Sequence, residues 1–119
     1  MLAELAQSRI DAAVLFAEAF PASEVQLVID FAARGRLPVM AEPLDYAKRG
    51  ALMAYGVAHA DLFRQSARYV DKVLQGVKPG DLPVEQPRRI QLIINLKTAK
   101  ALDLTIPASV LLRADQIIE

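Results

Sequence analysis

Short apolar runs of strand length alternate along this chain with segments whose apolar residues recur at helical spacing, and that alternation predicts an α/β fold with a mainly parallel sheet. Size agrees: 119 residues amount to one ordinary domain or one lobe of a larger protein. Hydrophobic residues make up 54% and charged residues 24%, a mixture that folds throughout and leaves no disordered tail.

The elements follow in order. Asp11 to Ala17 (DAAVLFA) is almost wholly apolar and reads as a first strand covered on both faces. Ser23 followed by Gln26 fits a capping box. Val25, Val28, Phe31 and Ala32 then keep helical spacing until Gly35 supplies a stop. Leu37 to Ala41 is a second strand, Asp45 to Arg49 a single helical turn ended by Gly50, and Ala51 to Tyr55 a third strand. From Ala58 to Gln75 the residues Leu62, Phe63, Ser66, Ala67, Val70, Val73 and Leu74 form one stripe, with Arg64, Arg68, Asp71, Lys72 and Gln75 opposite; this is the clearest helix in the chain.

Gly76 to Pro87 holds three Pro and two Gly in twelve residues and reads as a connector across a surface. Beyond it, Ile90, Leu92 and Ile94 alternate with Arg89, Gln91 and Asn95 as a strand with one face more buried. Thr98 to Leu102 is a short helix, and Ile106 to Glu119 a helical turn from Pro107 followed by an extended piece. No internal repeat or low-complexity tract interrupts the pattern.

Charge and composition narrow the function. Fourteen basic residues balance fourteen acidic ones, so no long-range field draws nucleic acid, and no nucleic-acid partner is expected. The chain has no Cys, which removes disulfides, thiolate nucleophiles and Cys-based metal sites. The longest apolar run, Ala12 to Ala17, is too short to span a bilayer. No basic segment leads an apolar stretch from Met1, so no signal peptide is expected in these residues.

Catalytic motifs are missing: there is no GxxxxGK[ST] loop, GxGxxG fingerprint, GxSxG elbow or HExxH pair. An enzyme is not expected, nor a metal or cofactor. His59, the single histidine, opens the long helix and reads more simply as a helix-end residue than as a general base. Glu18 and Glu42 each fall just after a strand, where open α/β sheets hold ligands, although a solvated loop carboxylate is the plainer reading. Tyr55 and Gly56 end the third strand. Tyr55 suits ligand stacking or the core equally, and Gly56 permits a sharp exit or a close backbone approach. Arg88 and Arg89 read as a solvated pair on an edge.

Three stretches, ALMAYG, ADLFRQSARYVDKVLQGVKPGDLPVEQP and IQLIINLKTAKALDLTIPASVLLRADQIIE, resemble the C-terminal part of ABC-transporter substrate-binding proteins of the tryptophan-binding type. The resemblance runs from Asp11 to the end, and YVDKVLQGVKPGDLPVEQP and INLKTAKALDLTIP are its most specific parts. It implies a partial type I periplasmic-binding-protein fold, a flavodoxin-like lobe with a mainly parallel sheet. By resemblance, residues 1–55 and 84–119 form a C-terminal lobe. Residues 56–83 form a crossing helix and connector that pack on an N-terminal lobe, with hinge positions at Tyr55, Gly56, Leu82, Pro83 and Val84. Ligand-wall candidates carried over from loop position are Glu18, Ala19, Phe20, Glu42 and Tyr55.

The implied function is capture of an amino-acid-like small-molecule solute in an interlobe cleft and delivery to a membrane permease, in a periplasmic setting. Departures from the family pattern are Arg49-Gly50-Ala51 in place of a Gly pair, Ala54 in place of Ser, and Asp103 in place of Gly. The first strand-to-helix loop, AEAFPAS, also lacks a fuller aromatic pattern. Two other classes fit the residues: a standalone self-associating or regulatory domain, and a small flavodoxin-like enzyme or receiver. A receiver requires an acidic cluster after its first strand, where this chain has Ala17-Glu18-Ala19. With one wall only, the chain is expected to bind solutes weakly. The stripe on the Ala58–Gln75 helix needs a partner surface, which makes a homo-oligomer, foremost a dimer, the expected state.

Overall fold

A computed structural model describes residues 10–16, 21, 23–87 and 89–119. Among them the elements run β1 (Ala13–Leu15), α1 (Val25–Arg34), β2 (Val39–Ala41), α2 (Asp45–Lys48), β3 (Met53–Val57), α3 (His59–Leu74), a 3-10 turn (Pro79–Asp81), β4 (Ile90–Asn95), α4 (Leu96–Ala101), α5 (Ala108–Leu111) and β5 (Gln116–Ile118). The five strands form one sheet in the order β1-β2-β3-β4-β5. Only the β3–β4 pair is antiparallel, so the sheet is mainly parallel, as the alternation of elements predicts.

Helices lie on both faces. Val25, Val28, Ile29 and Ala32 of α1 and Tyr46 and Ala47 of α2 bury against Leu15, Val39, Ala41, Ala54 and Ile93. A second cluster joins Leu52, Ala99 and Leu102, with Met53, Leu96 and Ile106 packed on it. Ala54 and Met53, adjacent on β3, enter different clusters because successive side chains of a strand point to opposite faces.

Asn95 ties these layers together. It is buried, its Nδ2 donates to the Ala47 carbonyl at 2.8 Å, and its Oδ1 accepts from the Thr98 N–H, capping α4. The Thr98 hydroxyl donates to the Gly50 carbonyl at 3.0 Å, a second bond from α4 to the end of α2. Asn95→Ala is expected to remove the shorter of two bonds to the Ala47 carbonyl, which then keeps only the Gly50 N–H at 3.3 Å, and to uncap α4, costing about 1–2 kcal/mol in denaturant unfolding, whereas Asn95→Asp retains the cap acceptor and loses the donor.

Several local expectations need correction. The Ser23–Gln26 capping box does not form: the chain turns through a Glu24 N–H to Pro21 carbonyl bond, and α1 starts at Val25 without a side-chain cap. Gln26 instead donates to Asp30 and to the Arg49 carbonyl. Gly35 is not the left-handed residue after α1; Arg36 is, at φ 53°, while the Leu37 N–H reaches back to Ala32. The third strand runs from Met53 to Val57, starting and ending two residues later than predicted: Gly50 at φ 119° leads into Ala51 and Leu52, which are buried before the ladder starts, and Gly56 and Val57 still pair with Gln91 and Ile90.

Helix α3 stands apart from this core. None of its residues is buried, and Phe63, Val70 and Leu74 are 75%, 57% and 81% exposed. The radius of gyration is 17.9 Å and the extents are 55 × 35 × 19 Å. A compact chain of this length has about 13–14 Å. The helix projects from the sheet instead of packing on it.

Candidate functional site

The site grows from strand register. Leu15 pairs with Ala41, and Ala41 with Ala54, across three adjacent parallel strands. All three are buried against α1 and α2, and Ala41 and Ala54 have no exposed surface. The residues that follow them in sequence are Phe16 and Glu42, just past the ends of β1 and β2, and Tyr55, the middle residue of β3. Phe16 and Tyr55 are 60% and 47% exposed, and Glu42 is half-buried. Two aromatic residues and a carboxylate thus occupy neighbouring register positions on three adjacent strands, close to the edge where open α/β sheets hold ligands.

Backbone contacts fix this edge. The Glu42 N–H donates to the Leu15 carbonyl at 2.9 Å, extending the β1–β2 ladder by one residue. Gly56 is buried against the same segment: a Cβ placed there would lie 2.1 Å from the Glu42 carbonyl oxygen and 3.1 Å from its carbon. Of the two roles open to Gly56 in the sequence, the structure assigns close approach.

From Glu42 and Tyr55 the chain continues into the walls of an open cleft of about 530 Å³. Leu44, Asp45 and Lys48 form one side, Val57 to Ala60 the other, and Gln91, Ile93 and Gln116 the floor. Asp45 is held by Arg49 at 3.2 Å. The volume suits a small solute, but the cleft is open on one side and encloses nothing by itself. His59 sits exposed on its rim. A second, smaller cleft of about 200 Å³ lies between α3 and the return segment, lined by Arg64, Arg68, Glu85 and Arg89 among others.

Of the residues singled out in the sequence, Glu42, Tyr55 and Gly56 come together, whereas Glu18, Ala19 and Phe20 lie outside the described residues. Leu82, Pro83 and Val84 lie on the return segment beside α3, away from this edge. Phe16, Lys48, Gln91 and Gln116 were not predicted. Phe16 was within reach, since it follows the first strand as Glu42 follows the second. Gln91 and Gln116 depend on the β4–β5 register, where Ile93 faces Gln116, and no local pattern reveals that pairing. Among the described residues no group of His, Asp or Glu is placed to hold a metal ion. No helix among them is long and apolar enough to cross a membrane.

Comparison with known proteins points one way. The profile of the family described as ABC transporter substrate binding protein matches residues 2–118. A tyrosine-binding protein of Clostridioides difficile is 30% identical over 82 residues, 69% of this chain and 24% of that protein. The crystal structure of a conserved domain protein from Vibrio cholerae superposes with a TM-score of 0.88 at 31% identity, covering 98% of this chain and 38% of that one. An ABC domain from Streptococcus pneumoniae in complex with L-Trp gives 0.87 at 29% identity, covering 96% and 39%. The chain thus spans about a quarter to two fifths of the length of these relatives.

Proposed function

Because the chain belongs to the ABC transporter substrate binding protein family, we propose that it forms one wall of a cleft that captures an aromatic amino acid for delivery to a membrane permease, outside the cytoplasmic membrane. The observation that carries the reading is the row Phe16, Glu42 and Tyr55 at neighbouring register positions on the parallel strands. Exposed rings suit stacking on an aromatic side chain, and the carboxylate between them suits an α-ammonium group. The ligands of the relatives, L-Trp and tyrosine, have that chemistry. Lys48 lines the neighbouring open cleft, whose walls include none of these three residues. Binding and release require no bond making, so the reading is non-catalytic and calls for no cofactor.

In this reading residues 1–55 and 84–119 belong to one lobe, and α3 with its connector crosses to the other. The open side of the cleft and the unburied α3 both support it. Affinity in two-walled clefts comes from burying most of the ligand. The chain alone is therefore expected to bind L-tryptophan or L-tyrosine only at millimolar concentration, with NMR shift changes at Phe16, Glu42 to Lys48 and Tyr55 to Ala60. A sub-micromolar dissociation constant for a monomeric sample would show that a second wall is not needed, and unperturbed resonances at those positions would remove the site. Tyr55→Leu is expected to weaken binding roughly fivefold while costing less than about 1.5 kcal/mol of stability. A larger loss of stability without ligand would make Tyr55 a core residue.

The exposed α3 stripe also favours a second reading, a self-associating domain of the same family whose copies cover one another's helices. The two readings differ in what lies on α3, not in the ligand edge.

A further inference from the structure

We infer that Tyr69 is a positioning residue that clasps the return segment to α3, so that α3 and Leu82 to Glu85 move as one body and the chain bends at Ala58 and at Gln86–Pro87. The Tyr69 hydroxyl donates to the Pro83 carbonyl at 2.7 Å and accepts the Glu85 N–H at 3.1 Å, two opposed bonds to alternate residues of an otherwise irregular strand. Gln65, one turn earlier on α3, donates to the Glu85 carboxylate at 3.1 Å and to its carbonyl at 3.4 Å. Leu82 and Pro83 line one open groove together with Tyr69 and Val73. Backbone groups that would need water in a free connector are thus held by one helix face.

The other body begins close by. Val57 pairs with Ile90 at the end of the β3–β4 ladder, and Arg89 reaches Asp115 at 3.6 Å. Asp115 also accepts the Leu92 N–H at 2.9 Å, which anchors this side to the sheet. Between the bodies lie Ala58 on the outgoing crossing, at φ −68° and ψ 112°, and Gln86 and Pro87 on the return. The two crossings run side by side because β3 and β4 are antiparallel neighbours, so one rotation serves both. This moves the return hinge from Leu82, Pro83 and Val84 to the residues just after Glu85. Hinges are commonly a few element-terminal residues that absorb the backbone change. The consequence for function rests on the solute-binding reading: in a two-lobed binder the clasp makes lobe closure a single rotation, leaving no slack in the connector.

The test is residual dipolar couplings of the weakly aligned 119-residue chain. Couplings from His59 to Glu85 are expected to fit one orientation frame and those of β1 to β5 another. In Tyr69→Phe, exchange of the Glu85 amide is expected to quicken roughly tenfold and Pro83 to Glu85 to leave the α3 frame, with helix content by circular dichroism unchanged. Gln65→Ala, which removes the second contact alone, serves if Tyr69→Phe melts the helix, and it is expected to quicken the same amide. One frame for the whole chain, Leu82 to Glu85 following the sheet, or an unchanged Glu85 amide in both variants would overturn the clasp. Adding L-tryptophan separates this from the functional reading. No response with two intact frames counts against solute binding and leaves the clasp standing, whereas a response with Leu82 to Glu85 grouped with the sheet does the reverse.

Discussion

Gly56→Ala is expected to destabilise the chain by about 3 kcal/mol, the upper end for forcing atoms into packed space, and to lower the melting temperature by roughly 10–15 °C. The size follows from what the new methyl group meets. A flexible side chain in its path would swing away, but the atom 2.1 Å from the added Cβ is the backbone oxygen of Glu42. That segment has little freedom: the Glu42 N–H is bonded to Leu15, and Pro43 beside it is buried. Relief requires parting β2 from β3 at this edge, so any shift changes with L-tryptophan at the proposed site residues Glu42 and Tyr55 are expected to vanish with the stability. Gly80→Ala is the control. A Cβ there meets nothing within 4 Å and is expected to leave the melting temperature unchanged. A melting temperature for Gly56→Ala within a few degrees of the parent would show that the β2–α2 turn yields and that the edge is not fixed as described.

Much of this was legible in the sequence because it depends on near neighbours. Helix α3 shows its stripe over sixteen residues, and α1 and the turn at α2 show theirs. The resemblance adds the expectation, which periodicity alone does not supply, that α3 packs outside the local core, and in the structure none of its residues is buried. Boundaries were less legible where tertiary contacts decide them. Of the first strand read over Asp11–Ala17, Ala13–Leu15 pair with β2 among the described residues, and Ala17 lies outside them. Ile93, read as neither face of its strand, is 5% exposed because β4 has neighbours on both edges and helices near both faces at that end. The left-handed turns after α1 and α4 fell on Arg36 and Asp103, at φ 53° and 60°, and side-chain identity does not announce such conformations as Gly does. The candidate site was half legible: a strand end marked Glu42, and Tyr55, read as a strand end, lies mid-strand, while the cleft floor waited on the register of β4 and β5.

At micromolar concentration the 119-residue chain is expected to run as a dimer in gel filtration coupled to light scattering, paired through α3. Ala60, Phe63, Ala67, Val70 and Leu74 follow the three-four spacing of a helix-pairing seam along α3, and every one of them is exposed. Leu62, Gln65 and Tyr69 lie on the side turned to the return segment, so the seam stays free after the chain has made its own contacts. Burying a large apolar side chain contributes roughly 1.5–3 kcal/mol. Three such residues per copy, Phe63, Val70 and Leu74, represent a large fraction of the roughly 5–15 kcal/mol stability typical of a small domain. An antiparallel two-fold arrangement sets Phe63 against Leu74 and Ala67 against Val70 of the second copy, and brings Arg64 towards Asp71 at the flank. Two small residues at the centre allow close approach, and opposite charges meet where like charges would repel. Val70→Glu places two carboxylates in that centre and is expected to give a folded monomer whose sheet resonances are unchanged, because α3 contributes no buried residue to the core. A parent monomer whose mass and stability are indifferent to Val70→Glu would overturn the pairing, and unfolding of the sheet in that variant would show that α3 belongs to the core after all.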